Sequence, residues 1–347
     1  MAAVQPVQSG GVDWYDVKQW GVEGKGWNDT ERYFDRLPAR AKGKVRPEVW
    51  NLSRDSAGML ARFETDSREI HVRWQLRSEA LAMPHFAATG VSGVDLYART
   101  PEDKWRWVAT GQPDKYPVVE KQIISNLDPG CRAYMLYLPL YNGVEGIEIG
   151  VAAGAAFQPL PPRRQKPILF YGTSIVQGAC ASRPGMSHVA ILGRRLNQPV
   201  INLGFSGNAL MEPEVADLIA ELDPSVFVID CLPNMYASLI EERAEPLLRK
   251  VRAAHPETPI VLVEDRSFTN AYFLAEKREY HAASRAAFRA VYEKLLADGV
   301  KGLYYIEGEG LLGDDGEASV DGSHPTDVGF MRMADILEPV LRPLVEA

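Results

Sequence analysis

The sequence predicts a two-domain protein in which an antiparallel β-sandwich precedes an α/β domain built on a parallel sheet. Three observations lead to this fold class. Short strand-like segments separated by turn residues fill the first half, apolar strands alternate with helical patterns in the second half, and a proline-rich stretch lies between them. The chain has 347 residues, enough for about two domains of ordinary size. We therefore assign residues 1–160 to the sandwich and residues 161–347 to the α/β domain.

The first half is typical of a jelly-roll-like sandwich because its apolar residues alternate. Glu69–Trp74 places Ile70, Val72 and Trp74 on one face of a strand. Similar short patterns occur at Met59–Phe63, Val94–Ala98, Trp105–Ala109 and Arg132–Leu138. No long amphipathic helix appears in this half. All seven tryptophans lie before residue 108, where they fit a sandwich core or, alternatively, a surface that stacks on sugar rings.

The stretch Gln158–Pro167 contains four prolines and three basic residues in ten positions. Proline fixes the backbone in extended conformations, and the charged side chains favour solvent. The composition therefore predicts a stiff, solvated linker, and the domain boundary is drawn there.

The second half alternates between apolar runs and helical patterns, which predicts a parallel sheet covered on both faces. The predicted strands are Ile168–Tyr171, Val200–Leu203, Val226–Ile229, Ile260–Val263 and Leu303–Ile306. The predicted helices are Met186–Leu196, Glu214–Leu222, Ile240–Ala254, Glu279–Asp298 and a last one from about Asp327 to Leu344. Sheets of this kind bind ligands at the carboxyl ends of their strands, so the residues that follow each strand are the candidates for chemistry.

Polar and glycine residues follow the first three of these strands. Ser174 comes shortly after the first, Gly204 to Gly207 after the second, and Asn234 after the third. A serine there can expose its hydroxyl, and glycine and asparagine amides can face the same point. Taken singly, each residue also fits an ordinary turn or a helix cap.

Asp321 and His324 precede the last predicted helix with a spacing that lets the carboxylate hold the imidazole in one tautomer. A surface loop at a helix start is the alternative. We interpret the remaining histidines as structural or solvated, since they lie in strand or helix patterns; they are His71, His85, His188, His255 and His281.

Charge and composition exclude several classes of function. The formal net charge of −8 argues against non-specific nucleic-acid binding, and no apolar run approaches the ~18–20 residues of a membrane span. Cys131, Cys180 and Cys231 form no CxxC pair, so a cysteine zinc site is not expected, while a Cys180–Cys231 bridge stays open. Gly308–Gly313 matches GxGxxG, but no helix follows it, which argues against dinucleotide binding.

Taken together and in this order, the blocks resemble the SGNH (GDSL-type) hydrolase superfamily over about residues 166–347. The resemblance implies that Ser174 is the nucleophile, His324 the general base and Asp321 its orienting carboxylate. It implies an oxyanion hole made by the amides of Ser174, Gly207 and Asn234, with Gly204 as an alternative alignment to Gly207. The chain has Gly-Thr-Ser where many members have Gly-Asp-Ser, and Leu-Pro-Asn-Met where many have Gly-x-Asn-Asp.

Gly93–Tyr97 resembles the GxDLY signature of a β-sandwich domain that precedes certain SGNH esterases. The resemblance implies a serine esterase that acts on small acyl esters, in particular acetyl esters, of a saccharide, without metal or cofactor. A lipase, thioesterase or arylesterase at the same site, and a carbohydrate-binding protein with an inactive hydrolase domain, are the alternatives. No segment reads as the exposed apolar lid of a lipase. Residues 1–10 do not read as a signal peptide, although the resemblance favours an exported protein.

Overall fold

The computed structural model describes residues 4–346. Residues 1–3, which begin the segment read as lacking a signal peptide, and residue 347 lie outside the described chain. The chain forms two compact units. The first unit contains the chain up to Ala39, Arg54–Arg164 and Ser182–Gly185; the second contains Arg40–Ser53, Gln165–Ala181 and the chain from Met186 onward. Each half of the sequence therefore contributes one short segment to the unit built mainly by the other half.

The first unit is an antiparallel β-sandwich, as predicted. Its strands are β1 (Val7–Ser9), β2 (Val12–Asp16), β3 (Leu60–Thr65), β4 (Ile70–Leu76), β5 (Val94–Arg99), β6 (Trp105–Gly111), β7 (Val118–Ile124), β8 (Arg132–Tyr137), β9 (Val144–Ala152) and β10 (Phe157–Leu160). One sheet has the order β1-β2-β9-β4-β7 and the other the order β10-β3-β8-β5-β6. Strands β6 and β7 are thus edge strands of different sheets.

The core of the sandwich explains the alternation seen in the sequence. Ile70, Val72 and Trp74 of β4 are fully buried, whereas the intervening His71 and Arg73 are half-buried. These three residues belong to one apolar cluster with residues of the opposite sheet, such as Leu96 and Leu136. The period of two therefore follows from a strand with one face in the core.

The predicted linker is partly wrong. Gln158, Pro159 and Leu160 belong to β10, whose residues pair with Arg62–Thr65 of β3. A proline is tolerated there because β10 is an edge strand, which needs hydrogen bonds on one side only. The residues after Leu160 form no strand or helix until Ile168.

The second unit contains a parallel five-stranded sheet, which confirms the predicted α/β class. Its strands are β11 (Ile168–Gly172), β12 (Val200–Gly204), β13 (Val226–Asp230), β14 (Ile260–Val263) and β15 (Leu303–Ile306). The α-helices of the described chain are α1 (Pro47–Leu52), α2 (Ala88–Val91), α3 (Ser174–Gln177), α4 (His188–Arg195), α5 (Pro213–Ile219), α6 (Ala237–Ala254), α7 (Ala275–Ala297) and α8 (Asp327–Val345). Of these, α2 lies in the first unit and the others in the second.

The order of the parallel strands, β12-β11-β13-β14-β15, makes β11 the point at which the chain changes direction across the sheet. Gly172, at the end of β11, pairs with Gly204 on one side and Asp230 on the other. A side chain at Gly172 would come within 2.4 Å of the Asp230 carbonyl oxygen, so glycine is required. Ligand sites of open parallel sheets lie at such a switch point.

Of the helices between residues 4 and 346, none combines the length and hydropathy that a membrane crossing requires. The three cysteines are free, so Cys180 and Cys231 form no bridge. Cys180 and Cys231 are buried, as small apolar residues would be, whereas Cys131 is exposed.

Candidate active site

Ser174 is the first residue of α3 and follows β11 after a turn of one residue. The Thr173 side chain caps the helix by accepting a hydrogen bond from the Ile175 amide at 3.4 Å. Gly178 ends the helix in the left-handed conformation, at φ +109°. Since Ser174 comes only two residues after the end of β11, its hydroxyl lies at the carboxyl edge of the sheet. Ser174 itself is 5% exposed.

His324 and Asp321 meet Ser174 at this edge. The Ser174 Oγ lies 3.0 Å from Nε2 of His324, and Nδ1 of His324 lies 2.7 Å from Oδ2 of Asp321. The second carboxylate oxygen of Asp321 accepts hydrogen bonds from the amides of Ser323, at 3.0 Å, and His324, at 2.9 Å. The structure therefore brings the three residues singled out in the sequence into one hydrogen-bonded chain.

Burial raises the pKa of the Asp321 carboxyl, but hydrogen bonds from the His324 amide and ring and the Ser323 amide outweigh it. They lower the pKa to about 2. The carboxylate is therefore ionised at neutral pH and accepts a hydrogen bond from Nδ1–H of His324, which leaves the lone pair of Nε2 facing the serine hydroxyl.

The loop that carries Asp321 and His324 is held by its own backbone and by a neighbouring loop. The Val320 amide donates to the His324 carbonyl at 2.9 Å, and the Thr269 amide donates to the Gly322 carbonyl at 2.9 Å. Gly322 has a φ of +96°, which side chains rarely tolerate, and a Cβ there would lie 2.9 Å from Asn270. The glycine between Asp321 and His324 is thus a requirement of the turn.

Gly207 follows β12, which neighbours β11, and has a φ of +69°. No atom lies within 4 Å of where a Cβ would be. Within residues 4–346, its amide N–H has no hydrogen-bond acceptor. The amide is therefore available to a ligand.

Gly204, the alternative to Gly207, has another role. Its amide donates to Oδ1 of Asn202 at 2.9 Å, and a Cβ there would lie 2.1 Å from the Gln177 amide nitrogen. Glycine at this position lets β12 approach the end of α3. This geometry favours Gly207 as the candidate oxyanion donor.

Asn234 ends a 3-10 turn, Leu232–Asn234, that follows β13 on the other side of β11. Its backbone N–H donates to the Cys231 carbonyl at 3.1 Å. Its side-chain oxygen is buried and has no partner in the described part of the chain. The Tyr280 hydroxyl lies 3.3 Å from the Leu232 carbonyl and 3.1 Å from that of Met235, bracketing the turn. The turn is thus fixed, while the side-chain amide of Asn234 is uncommitted.

Arg46 is a residue that sequence reasoning missed. It precedes α1 and contacts the loop after Gly207. Its Nη1 donates to Oδ1 of Asn208 at 2.8 Å, its Nη2 to the Asn208 carbonyl at 3.2 Å, and its Nε to Glu212 at 2.6 Å. Because these partners are more than 160 residues away, no local pattern indicates them.

Arg266 contacts the loop that carries Asp321 and His324. Its Nε donates to the Ser323 carbonyl at 3.2 Å, and its Nη1 forms an ion pair with Asp265 at 3.3 Å. The Phe268 amide donates to Nε2 of His281, which leaves the proton on Nδ1, 3.1 Å from Asp265. Arg266 and Asp265 are 1% and 0% exposed, so they form an internal ion pair closed to solvent.

The GxGxxG match at Gly308–Gly313 lies in a loop after β15, with no helix following directly. The Gly308 amide donates to Glu264 at 2.8 Å, and a Cβ at Gly308 would lie 1.9 Å from the Asp265 carbonyl oxygen. The glycine serves close packing, as expected for a chance match.

An exposed apolar segment does occur in the second unit, contrary to the sequence analysis. Tyr272 and Phe273 are each 82% exposed and Leu274 is 41% exposed. They come shortly after Thr269, whose amide donates to the Gly322 carbonyl and so joins this segment to the loop that carries Asp321 and His324. The pattern was missed because the apolar run, Ala271–Ala275, is only five residues long.

Two family profiles match the chain. The GDSL-like lipase/acylhydrolase family matches residues 165–342, and the N-terminal domain of SGNH-hydrolase-type esterases matches residues 12–157. No curated protein matches at a significant level.

Solved structures match nearly the whole chain. A GDSL-like lipase of Bacteroides ovatus is 33% identical, with a TM-score of 0.91 and coverage of 96% of this chain and 98% of its own. A salicylyl acyltransferase of a tetracycline biosynthetic pathway is 17% identical, with a TM-score of 0.72 and coverage of 99% and 97%. A family two carbohydrate esterase of Cellvibrio japonicus is 13% identical, with a TM-score of 0.63 and coverage of 96% and 98%.

The last two likenesses show the fold alone, whereas the first also shows relationship. The 33% identity to the Bacteroides ovatus protein and the family profile over half of the chain agree. The protein therefore belongs to the GDSL-like lipase/acylhydrolase (SGNH) family and is an esterase with an N-terminal GxDLY domain.

Proposed function

We propose that this esterase hydrolyses small acyl esters, in particular acetyl esters, of carbohydrates through an acyl-enzyme on Ser174. The observation that carries the proposal is the continuous hydrogen-bonded chain from Ser174 through His324 to Asp321. Its two distances fit a nucleophile, a base and a group that orients the base.

In the first step, His324 Nε2 takes the Ser174 proton as Oγ forms a bond to the ester carbonyl carbon. The ionised Asp321 stabilises the imidazolium that results. The tetrahedral intermediate then collapses, the bond to the alcohol oxygen breaks, and His324 returns the proton to the leaving alcohol. Water attacks the acyl-enzyme with the same base, which releases the acid and restores Ser174.

The negative oxygen of each intermediate needs hydrogen-bond donors. We assign this role to the amides of Ser174 and Gly207 and to the side chain of Asn234. Gly207 and Asn234 follow the two strands that flank β11, so they approach Ser174 from opposite sides. One such donor contributes about 2.7–4 kcal/mol to transition-state stabilisation.

The saccharide part of the proposal is supported by the carbohydrate esterases among the structures of the same fold. The exposed rings of Tyr272 and Phe273, joined to the catalytic loop, offer an aromatic surface to the C–H face of a sugar. An exported location belongs to the same proposal, because the resemblance to exported polysaccharide-degrading esterases implies it. Fractionation of producing cells tests the location.

A lipase or thioesterase is the second candidate, and the exposed segment Tyr272–Leu274 is the observation that favours it. An apolar surface beside the catalytic loop can also bind an acyl chain or an aromatic alcohol. The two candidates share the same catalytic residues. They differ in the part of the substrate that binds to Tyr272–Leu274, which is a sugar in the first and an acyl chain or aromatic alcohol in the second.

The test is the release of acid from p-nitrophenyl acetate, p-nitrophenyl octanoate and acetylated xylan. The proposal expects turnover of acetate and of acetylated xylan, with octanoate at least tenfold slower. Preference for octanoate would favour the lipase or thioesterase. Binding of xylan without release of acetate would favour an inactive, carbohydrate-binding protein.

Two variants test the catalytic assignment. Ser174→Ala is expected to abolish turnover with an unchanged circular dichroism spectrum, and Asn234→Ala to lower kcat about 10²–10³-fold. Ser182→Ala is the matched control, because Ser182 lies on the same stretch of chain and is exposed. Full activity of Ser174→Ala would refute the mechanism.

A further inference from the structure

Among the tryptophans of the described chain, one in the β-sandwich has an exposed indole, while the others are covered. Trp107 of β6 is 51% exposed, whereas five others are at most 8% exposed and Trp105 is half-buried; the five are Trp14, Trp20, Trp27, Trp50 and Trp74. Leaving a large apolar ring half in water gives no folding advantage. The exposure of Trp107 therefore indicates a role outside the core.

The ring of Trp107 is held in a fixed orientation. Its Nε1–H donates to Oδ1 of Asp95 at 2.9 Å, and the Asp95 side chain is fully buried. The guanidinium of Arg183 lies 5.1 Å from the ring centroid. The polar edge of the indole is thus satisfied internally. A ring fixed before binding loses little conformational entropy when a ligand stacks on it.

A cavity of about 500 Å³ opens beside this ring, between the edge strands β6 and β7. Its lining combines apolar and polar groups, among them Trp107, Thr110, Gln112, Ile124 and Arg183. Small-molecule sites have volumes of about 300–1,000 Å³ and combine an apolar wall with a few polar groups. The cavity and the exposed ring therefore form one surface.

The charges at this cavity indicate a neutral ligand. Arg183 is the only charged residue among its lining side chains, and its Nη1 forms an ion pair with Asp95 at 2.8 Å. Because the two charges of this pair cancel, the cavity offers no net positive charge that would bind an anion. The remaining polar groups are Gln112, the outer N–H groups of Arg183 and the acceptor lone pairs of Thr110, whose hydroxyl donates to Asp95 at 3.2 Å. These groups suit the hydroxyl groups of a ligand.

We propose that this cavity is a saccharide-binding site in which a neutral sugar ring stacks on Trp107 and its hydroxyl groups bind the polar lining. A pyranose presents an apolar C–H face and a rim of hydroxyl groups, which matches an indole face bordered by amide, hydroxyl and guanidinium groups. The site lies wholly within the first unit and requires none of the catalytic residues. It rests on the proposed function only for the choice of probes.

The experiment measures binding by isothermal titration calorimetry in the full-length Ser174→Ala protein, which does not turn over the probes. The probes are xylohexaose, cellohexaose and mannohexaose, with hexagalacturonate as the charged comparison. We expect saturable binding of at least one neutral probe, weakened at least tenfold by Trp107→Ala and at most threefold by Trp107→Phe. Hexagalacturonate is expected to bind more weakly than that neutral probe.

Trp105→Ala is the matched control, because Trp105 lies two residues away on the same strand and outside the cavity lining. It is expected to leave binding unchanged. In a background that retains Ser174, Trp107→Ala is expected to keep turnover of p-nitrophenyl acetate within twofold. This separates a failure of the sugar site from a failure of the esterase assignment.

Binding of no neutral hexasaccharide would overturn the proposal, and so would equal binding by Trp107→Ala. Sedimentation supplies a third outcome. Concentration-dependent self-association that Trp107→Ala removes, without sugar binding, would show that the edge of the sandwich binds another chain and would also overturn the proposal.

Discussion

Arg46 donates one hydrogen bond to the side chain and one to the backbone carbonyl of Asn208, the residue that follows Gly207. The two bonds hold the side chain of Asn208 and the peptide group that follows it, one residue beyond the candidate oxyanion donor. Arg46 does not contact reacting atoms, so we treat it as a positioning residue.

Arg46→Ala is therefore expected to lower kcat for p-nitrophenyl acetate about tenfold while KM changes less than twofold. The physical reason is that a mobile Gly207 amide stabilises the transition state less, while ground-state binding is retained. Steady-state kinetics below the melting temperature give this split. Arg40→Ala is the control, since Arg40 lies in the same segment and forms an exposed pair with Glu221. Equal kcat values for the two variants would contradict the positioning role.

Asp321→Asn is expected to lower kcat about 10³–10⁴-fold with little loss of stability. The asparagine oxygen can still accept the amide hydrogens of Ser323 and His324, while its NH₂ group faces Nδ1 of His324. The imidazole proton then moves to Nε2, which can no longer accept the serine proton. Single-turnover kinetics check the acylation step. Asp314→Asn, an exposed carboxylate in a preceding loop, is expected to be neutral.

Arg266→Lys is expected to lower kcat with little change in KM or melting temperature. Lysine keeps a positive charge beside Asp265. It lacks the additional guanidinium nitrogens that reach Ser323, the neighbour of His324. Arg266→Met is expected to unfold far more easily, because an unpaired buried charge costs about 3–5 kcal/mol. Arg285→Lys is the matched control, since Arg285 contacts the Asp265 carbonyl and not Ser323. Wild-type kcat in Arg266→Lys would show a purely structural role.

His188 predicts a loss of stability in acid. It is fully buried between Phe170 and Phe330, and neither ring nitrogen has a hydrogen-bond partner among residues 4–346. Burial, together with the charge of Arg266, lowers its pKa to about 3. The unfolded chain takes up this proton near pH 6.5, so it binds more protons than the folded chain between about pH 6.5 and 3. The contribution of His188 to stability therefore falls as the pH falls through this range.

His188→Phe removes the imidazole that takes up a proton on unfolding, and with it this part of the pH dependence of stability. Between pH 7.5 and 4.5, the wild-type protein is expected to lose up to about 3 kcal/mol more unfolding free energy than the variant. Urea unfolding at the two pH values measures the difference. His71→Phe, at a half-buried strand position, serves as the control and is expected to follow the wild type. Parallel losses in wild type and His188→Phe would refute the argument.

Sequence patterns predicted the elements whose cause is local. Ile260–Val263 and Leu303–Ile306 are strands with the predicted bounds, because short apolar runs that alternate with helical patterns form the strands of an α/β unit. Strand β9 was missed, since Gly146 and Gly150 interrupt its alternation. Helix α7 begins at Ala275, four residues before its predicted start, and no side chain caps it.

The residues of the candidate site also divide into those that a local sequence pattern indicates and those that it does not. Ser174, Gly207, Asn234, Asp321 and His324 were singled out because each follows a strand or precedes the last helix, and their expected roles came from the resemblance to the SGNH superfamily. Arg46 was missed because its partner, Asn208, is distant in the sequence, and the contact of Arg266 with Ser323 was missed for the same reason. Phe273 was missed because exposure depends on what surrounds a residue in space.

The exchange of segments between the two units has a practical consequence for anyone who wishes to shorten this protein. A gene fragment encoding residues 161–347 would omit Arg40–Ser53 and, with it, the guanidinium that clamps Asn208. A fragment encoding residues 1–160 would lack Arg183, and the buried carboxylate of Asp95 would lose its counter-ion. A continuous fragment that contains the second unit complete must begin at Arg40, and one that contains the first unit complete must extend to Gly185. Neither unit can therefore be cut out at the boundary between residues 160 and 161 without losing part of itself.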